Sequence, residues 1–249
     1  MPSFYEFTSK LEFSELLEKV KLVAENHKYT WTDSAELVLQ HSHTEDLSPN
    51  FRGKHFTEEK AIESWVKAYF GDYHNRPSVR KANPSKTVND KILDEIITSH
   101  MPNLDQLSLE AINYAHRLAM ASENILGILL EEYLDTRLKS YGWHCAWGST
   151  LKAVDFVSNE GELLQVKSRN NTENSSSNKI RNGTEIKKWW RFHATQGTTN
   201  WDELNKKLGL SVLSEDDFLG FVKTTAKSNP DMLAIDPENL WLRYKVISK

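Results

Sequence analysis

The chain has 249 residues, of which 39% are hydrophobic and 27% charged, values typical of a water-soluble globular protein with a sizeable core. The formal net charge of −4 gives no overall basic excess of the kind that indicates a nucleic-acid partner, so the distribution of charge along the chain has to decide that question. The single cysteine, Cys145, excludes an internal disulfide framework and a cysteine-rich zinc site. No apolar run approaches the length of a transmembrane helix, and the first residues lack the pattern of a signal peptide, so we expect a cytoplasmic protein with no membrane partner.

The first part of the chain, residues 1–117, is predicted to be a mainly helical N-terminal portion. Helical periodicity starts at Phe13, with Ser14 as the expected cap, and recurs over residues 34–40. Thr57 can cap a further helix, because acidic residues follow it in the first turn.

Residues 72–91 are polar and carry two prolines, so we interpret them as a solvated connector in preference to a DNA contact. Helices are expected to resume at Ile92 and, with Ser108 as the cap, beyond it. The pair His41 and His43 allows a metal site, but no third ligand is placed by the sequence, and a solvated histidine pair is the favoured interpretation. The same holds for His144 next to Cys145.

The second part, residues 118–249, begins with the strongest helical pattern in the chain, at residues 121–138. Ser122 is its expected cap, and Glu123 would lie in the first turn, where the helix dipole favours an acid. Glu131 and Glu132 are expected to face solvent, although either could take the place of Glu123 in a site. Gly142 should end the helix, and residues 143–147 should begin a sheet.

Two strand-like runs joined by a tight turn follow, at residues 151–157 and 163–167. The turn contains Gly161, which can adopt a positive φ. Because side chains alternate along a strand, Gln165 and Lys167 share one face, and Asp155 can lie on that face near the end of its own strand. The hairpin therefore gathers a carboxylate, an amide oxygen and an ammonium group, although an ordinary surface hairpin would also fit the pattern.

This pattern resembles the PD-(D/E)xK nuclease core, with Gln165 where that superfamily usually has an acid. The resemblance implies that Asp155, Gln165 and the Val166 carbonyl hold Mg²⁺, a hard cation that prefers oxygen ligands. Lys167 would assist the attacking water and stabilise charge on the phosphate. Glu123 could restore the charge that is missing at Gln165, or it could serve only the helix terminus.

Positive charge is concentrated directly after this hairpin. Residues 167–191 carry seven Lys or Arg and two acids, a net charge of +5, whereas the remainder of the chain carries −9. Such focusing is expected where a polyanion docks, although a disordered polar loop would have a similar composition. We therefore expect double-stranded DNA to contact this segment through Arg169, Asn170, Asn171, Ser175, Ser176, Ser177, Lys179, Arg181, Lys187, Lys188 and Arg191.

The stretch from Gln165 to Thr184, followed by residues 186–191 and 199–201, is similar to the SinI/AvaII-type restriction endonucleases. The resemblance implies a type II restriction endonuclease that depends on Mg²⁺ and acts as a homodimer on a near-palindromic site, GG(A/T)CC in that family. It also implies 5′ overhangs at the cut and a companion DNA methyltransferase that protects host DNA.

The expected fold is therefore α/β, with a restriction-endonuclease-like core of a mixed sheet flanked by helices. Strand-like or buried segments are predicted at residues 212–222 and in a final strand at residues 241–246. Three other functions stay open: a repair or recombination nuclease that reads DNA shape, a non-catalytic DNA-binding protein, and a helical interaction protein with a basic loop.

Overall fold

The computed structural model describes residues 2–51, 57–83, 90–170 and 185–244. Within these ranges the α-helices are α1 (Phe4–Thr8), α2 (Phe13–Asn26), α3 (Asp33–Ser42), α4 (Glu58–His74), α5 (Lys91–His100), α6 (Gln106–Leu138), α7 (Trp201–Leu208) and α8 (Glu215–Ser228). Short 3₁₀ turns span Lys139–Tyr141, Trp147–Ser149, Pro230–Met232 and Leu240–Tyr244. None of the helices described is long and apolar enough to cross a bilayer.

A five-stranded mixed sheet has the order β1-β2-β3-β4-β5. Its strands are β1 (Trp143–Cys145), β2 (Phe156–Ser158), β3 (Leu163–Arg169), β4 (Lys187–His193) and β5 (Thr198–Thr199). Only the β3–β4 pair is parallel, and the other neighbours are antiparallel. The predicted α/β class with a mixed sheet and flanking helices is confirmed.

The described residues divide into two compact units. The first consists of residues 1–76 and 130–221 and contains the whole sheet, and the second consists of residues 77–129 and 222–249. Helix α6 contributes residues to both units, since it continues through residue 129 without interruption.

The core of the first unit contains two groups of aromatic side chains. Trp65 of α4 stacks on Tyr69 and donates from its indole N–H to the Ser42 hydroxyl at 2.9 Å. Around the sheet, Trp189 of β4 packs against Trp201 of α7 and donates to the carbonyl of Asn200 at 2.7 Å. Each buried indole therefore has a hydrogen-bond acceptor, as the cost of burying an unpaired N–H requires.

The 3₁₀ turn after β1 approaches α4 more closely than a side chain would allow. Gly148 has φ of +73°, and a Cβ added there would lie 2.1 Å from the carbonyl oxygen of Ala68. Glycine is required at this position both by the left-handed backbone and by the contact. The turn thus fixes α4 against the segment that leads from β1 towards Asp155.

Several helix boundaries differ from the predictions. Helix α2 begins before Ser14, with Glu12 at its cap position, and α6 begins at Gln106, where Asp105 accepts from the Ser108 N–H at 2.7 Å. Ser122 lies in mid-helix and donates its hydroxyl to the Leu118 carbonyl. The predicted caps at Ser14, Ser108 and Ser122 are therefore wrong, whereas Thr57 does cap α4.

The C-terminal predictions are also corrected. Helix α8 occupies most of residues 212–222, and a 3₁₀ turn occupies Leu240–Tyr244 where a strand was expected. Acidic residues at the first turn of α8 favour a helix through its dipole, and this outweighed the strand-like apolar pattern. Gly142 ends the turn after α6 with φ of +76°, as predicted.

Candidate active site

The hairpin of β2 and β3 positions Asp155 beside β3. Its backbone N–H donates to the Leu164 carbonyl at 2.9 Å, and its own carbonyl accepts from Ala146 at 2.8 Å. One carboxylate oxygen, Oδ2, accepts from the Val166 N–H at 2.7 Å. The side chain is therefore held at a fixed place next to the Gln165–Lys167 segment, as the sequence predicted from the tight turn at Gly161.

Gln165 and Lys167 lie on the same face of β3. The Gln165 side chain is buried, with 5% exposure, and its Oε1 has no hydrogen-bond partner. Leaving a buried amide oxygen unpaired costs about 1–3 kcal/mol, so this atom is suited to a ligand that is not part of the chain. Lys188 is aligned with Gln165 across the parallel β3–β4 pair, which places a second lysine on this face.

The helix that supplies a further carboxylate is α6, through Glu131. The pKa of Glu131 is raised to about 8, first by desolvation and then by the negative charges of Asp155 and Asp72. The positive charge of Lys167 lowers this pKa. Burial and the same neighbouring carboxylates also raise the pKa of the Cys145 thiol, which makes it a poor nucleophile. Glu131, Asp155 and Lys167 thus share one electrostatic environment.

The arrangement of donors fits a hard divalent cation. The described residues contain no group of three or more His, Cys, Asp or Glu side chains that could hold a metal ion by itself. The oxygen atoms at hand are the Asp155 carboxylate, the unpaired Gln165 amide and the Glu131 carboxyl, and a cation would relieve the repulsion that raises the Glu131 pKa. Such a mixed oxygen set suits Mg²⁺, which keeps several waters, better than zinc.

Comparison with known sequences gives the family. A sequence model of the SinI restriction endonuclease family matches residues 49–227. The chain belongs to the SinI restriction endonuclease family. Among its relatives, the type II restriction enzyme Eco47I of Escherichia coli is 41% identical over 177 residues, which cover 69% of this chain and 76% of Eco47I. The type II restriction enzyme SinI of Salmonella infantis is 43% identical over 150 residues, 58% of this chain and 65% of SinI.

Membership of the SinI family confirms the predicted resemblance and the enzyme class, a type II restriction endonuclease. The matched range, residues 49–227, includes the hairpin and every residue of the candidate active site, from Glu131 to Lys188. Asp155, Gln165 and Lys167 are gathered as the sequence predicted, and their roles in catalysis stay predictions.

The predicted position of Glu123 is corrected. It is exposed, it lies in the middle of α6 and it belongs to the second unit, because α6 begins at Gln106 and not at residue 121. Glu132 does not face solvent as expected: it is buried, with 4% exposure, and pairs with Arg76 at 3.3 Å. Glu131 is half-buried. The sequence signal for Glu131 was its place within the apolar run around Leu130 and Tyr133.

One further residue close to the candidate site was not found from the sequence, and the histidines differ from the predictions. Asp72, near the end of α4, raises the pKa of Glu131, although it had been assigned to a solvated connector. His144 is buried rather than solvated, and both ring nitrogens are hydrogen-bonded, to Ser34 at 2.8 Å and to Asn159 at 2.9 Å. His43 contacts the Thr8 carbonyl at 3.0 Å.

The predicted DNA contacts are only partly within the described structure. Asn171, Ser175, Ser176, Ser177, Lys179 and Arg181 lie outside the described residues. Arg169 ends β3 and is partly exposed. Asn170 follows it, and its Oδ1 accepts from the Ala194 N–H at 3.0 Å, so this amide has a structural contact.

Two of the predicted basic contacts are engaged in ion pairs inside the first unit. Arg191 has 9% exposure and its Nη1 lies 2.5 Å from Glu215 Oε1, beside the ring of Phe218. These contacts give Arg191 a structural role, and its contact with DNA stays a prediction. Lys187 pairs with Glu162 at 2.5 Å and lies over the Trp143 ring. Of the predicted lysines on β4, Lys188 is the one that the sheet register places beside Gln165.

Proposed function

We propose that the protein hydrolyses double-stranded DNA at a short near-palindromic site, depends on Mg²⁺, and leaves 5′-phosphate ends. The observation that supports this proposal most strongly is the buried, unpaired amide oxygen of Gln165, on the strand face that it shares with Lys167. The charges of Asp155 and Lys167 also act on Glu131. A recognition site like GG(A/T)CC is proposed from the family resemblance. The names of Eco47I and SinI as type II restriction enzymes support the reaction class.

Each residue has a distinct role in this proposal. Asp155, Gln165 and Glu131 would hold the cation, together with the Val166 carbonyl. The bound cation supplies charge neutralisation at the phosphate and lowers the pKa of a bound water. Lys167 would orient the attacking water and stabilise negative charge at the phosphate oxygens, and Lys188 would contact a flanking phosphate. Glu131, whose pKa is raised to about 8, would hold a proton near neutral pH in the metal-free protein.

A homodimer and a companion methyltransferase complete the proposal. A near-palindromic site has two equivalent scissile phosphodiesters, and a two-fold dimer presents one active site to each strand. The methyltransferase would be a functional partner that modifies the same site in host DNA. No physical contact between the two enzymes is required.

The test uses purified protein and unmethylated phage DNA, incubated with Mg²⁺ or with excess EDTA and analysed on a gel. Discrete fragments that require Mg²⁺ are expected, and sequencing of their ends gives the site and the cut position. The Lys167→Ala variant is the control for a contaminating nuclease. A smear would refute sequence-specific cleavage in favour of a nuclease that reads DNA shape. Intact DNA that is retained in a binding assay would instead indicate a non-catalytic DNA-binding protein.

A further inference from the structure

The second unit contains a cavity of about 530 Å³. This volume lies within the range of small-molecule sites, which is about 300–1,000 Å³. One wall of the cavity is a face of α6, formed by residues three or four positions apart: Arg117, Met120, Ala121, Asn124, Ile125 and Ile128. The other two walls come from the segments that contain Arg80 and Met232. The whole cavity therefore lies within one unit, and it contains no residue of the candidate active site.

Contacts within the chain hold the three walls together. The Ala82 N–H donates to the Asp231 carbonyl at 2.9 Å, which joins the two segments outside α6. The Arg117 Nη1 of α6 donates to Asp236 Oδ2 at 3.1 Å, which attaches the second of these segments to the helix. The cavity is thus preformed, and a ligand would not have to order its walls on binding.

The cavity carries a surplus positive charge. Its lining contains two arginines and one acid, and the acid, Asp236, is paired with Arg117. The second arginine, Arg80, has a buried Nε with no hydrogen-bond partner among the described residues. An unpaired buried donor on a charged group costs free energy, so this nitrogen is suited to an anionic acceptor that is not part of the chain.

The rest of the lining combines apolar side chains with two amides. Ile125 and Met232 are buried, and Ile128 is half-buried beside them on the same face of α6 as Ile125. Asn83 and Asn124 are exposed, and each amide offers both hydrogen-bond donors and an acceptor. Asparagine can form two hydrogen bonds with the edge of adenine, and apolar side chains pack well against the faces of a base.

We propose that this cavity binds a nucleoside monophosphate, with adenine as the best-matched base. Arg80 would donate to the phosphate, Asn124 would pair with the base edge, and Ile125 and Met232 would contact the base face. Inorganic phosphate would leave the apolar wall in water, and an aliphatic carboxylate would leave the amides without a partner. A nucleotide uses all three kinds of group in the lining.

The first test is isothermal titration calorimetry of the full chain with dAMP in EDTA. EDTA removes divalent cations, so the nucleotide cannot be held through a metal ion at the candidate active site. One dAMP per chain is expected, bound about 10-fold or more tightly than inorganic phosphate, because the base adds apolar contact. The inference would be overturned by the absence of dAMP binding, by phosphate that binds as tightly, or by octanoate that binds more tightly.

Substitutions of two adjacent cations locate the site. Arg80→Ala should weaken dAMP binding by about 10-fold or more, because it removes a charge-assisted hydrogen bond. Lys81 is exposed and lies outside the lining, so Lys81→Ala removes the same charge and should have little effect. Lys167→Ala should bind dAMP as the wild type does. Equal losses in the variants at residues 80 and 81, or loss of binding in Lys167→Ala, would contradict this location.

A second variant leaves every charge in place. Ala121 is half-buried in the lining, and Ala121→Phe should abolish dAMP binding because the added ring occupies the cavity. Ala119→Phe is its control, since Ala119 is exposed on the same helix and lies outside the lining. Circular dichroism checks that each variant is folded. A folded Ala121→Phe variant that binds dAMP as the wild type does would refute the inference, whatever the outcome of the cleavage test.

Discussion

Substitution of Glu131 by Gln should stabilise the metal-free protein, and increasingly so as the pH rises. Its carboxyl has a pKa of about 8 in the folded protein, against an ordinary value of 4.5, because the surrounding protein desolvates it and because the charges of Asp155 and Asp72 act on it. As the pH rises, the unfolded chain therefore releases this proton at a lower pH than the folded protein does. The free energy of unfolding falls progressively between about pH 4.5 and pH 8 as a result. Between pH 6 and pH 8 this penalty grows by roughly 2 kcal/mol, at about 1.4 kcal/mol per pH unit.

The assay is urea denaturation in EDTA at these two pH values, followed by tryptophan fluorescence. Seven of the eight tryptophans belong to the first unit, so the signal reports the unit that contains Glu131. With a slope of about 2 kcal/mol per molar urea, the gap between Glu131→Gln and wild type should widen by about 1 M from pH 6 to pH 8.

The control is Glu123→Gln, an exposed glutamate on the same helix, for which no widening is expected. A gap for Glu131→Gln that stays constant with pH would refute the raised pKa. The assignment of Glu131 to the site, in place of Glu123, would then lose its support.

The remaining predictions concern the other side chains of the sheet. Lys167→Ala should reduce cleavage by about 100-fold or more while DNA is still retained in a gel-shift assay, and full cleavage by this variant would exclude Lys167 from catalysis. Asp155→Asn should abolish cleavage with little change in the thermal midpoint, since the amide oxygen can still accept from the Val166 N–H. Asp155→Ala should abolish cleavage and also lower the thermal midpoint, because it removes this hydrogen-bond acceptor. Arg191→Ala should cost about 2 kcal/mol in urea denaturation, because it removes a buried guanidinium that pairs with the partly exposed Glu215 and packs beside the Phe218 ring. Arg137→Ala, which breaks a more exposed pair with Asp217, should cost less than about 1 kcal/mol, and equal losses would contradict the structural role of Arg191.

The parts of the site that depend on local sequence were predictable. The turn at Gly161 fixes the pairing of β2 with β3, and strand alternation then places Gln165 and Lys167 on one face, whatever the rest of the chain does. The resemblance to the PD-(D/E)xK core rested on this same hairpin. Local signals were therefore sufficient for the turn, for β3 and for three candidate site residues, whereas β2 begins at Phe156 and not at residue 151.

The parts that depend on packing were not predictable. A serine at position 122 indicated a helix start, but the preceding residues continue the same apolar stripe, and tertiary contacts join them into a single α6. This error placed Glu123 in a first helical turn, whereas it lies in the middle of α6. Asp72 and Arg191 gave no local signal, because the partners that determine their environments lie more than 20 residues away in the chain.

The contact at Gly148 has a consequence for genetic experiments on this protein. Even a methyl group at this position would force α4 and the turn apart, since it would meet the Ala68 carbonyl at 2.1 Å. In a random mutagenesis screen for loss of restriction, changes in this codon would thus be recovered beside those at Asp155 and Lys167. They would report failed assembly of the first unit, and measurement of the soluble protein yield would separate the two classes of mutant.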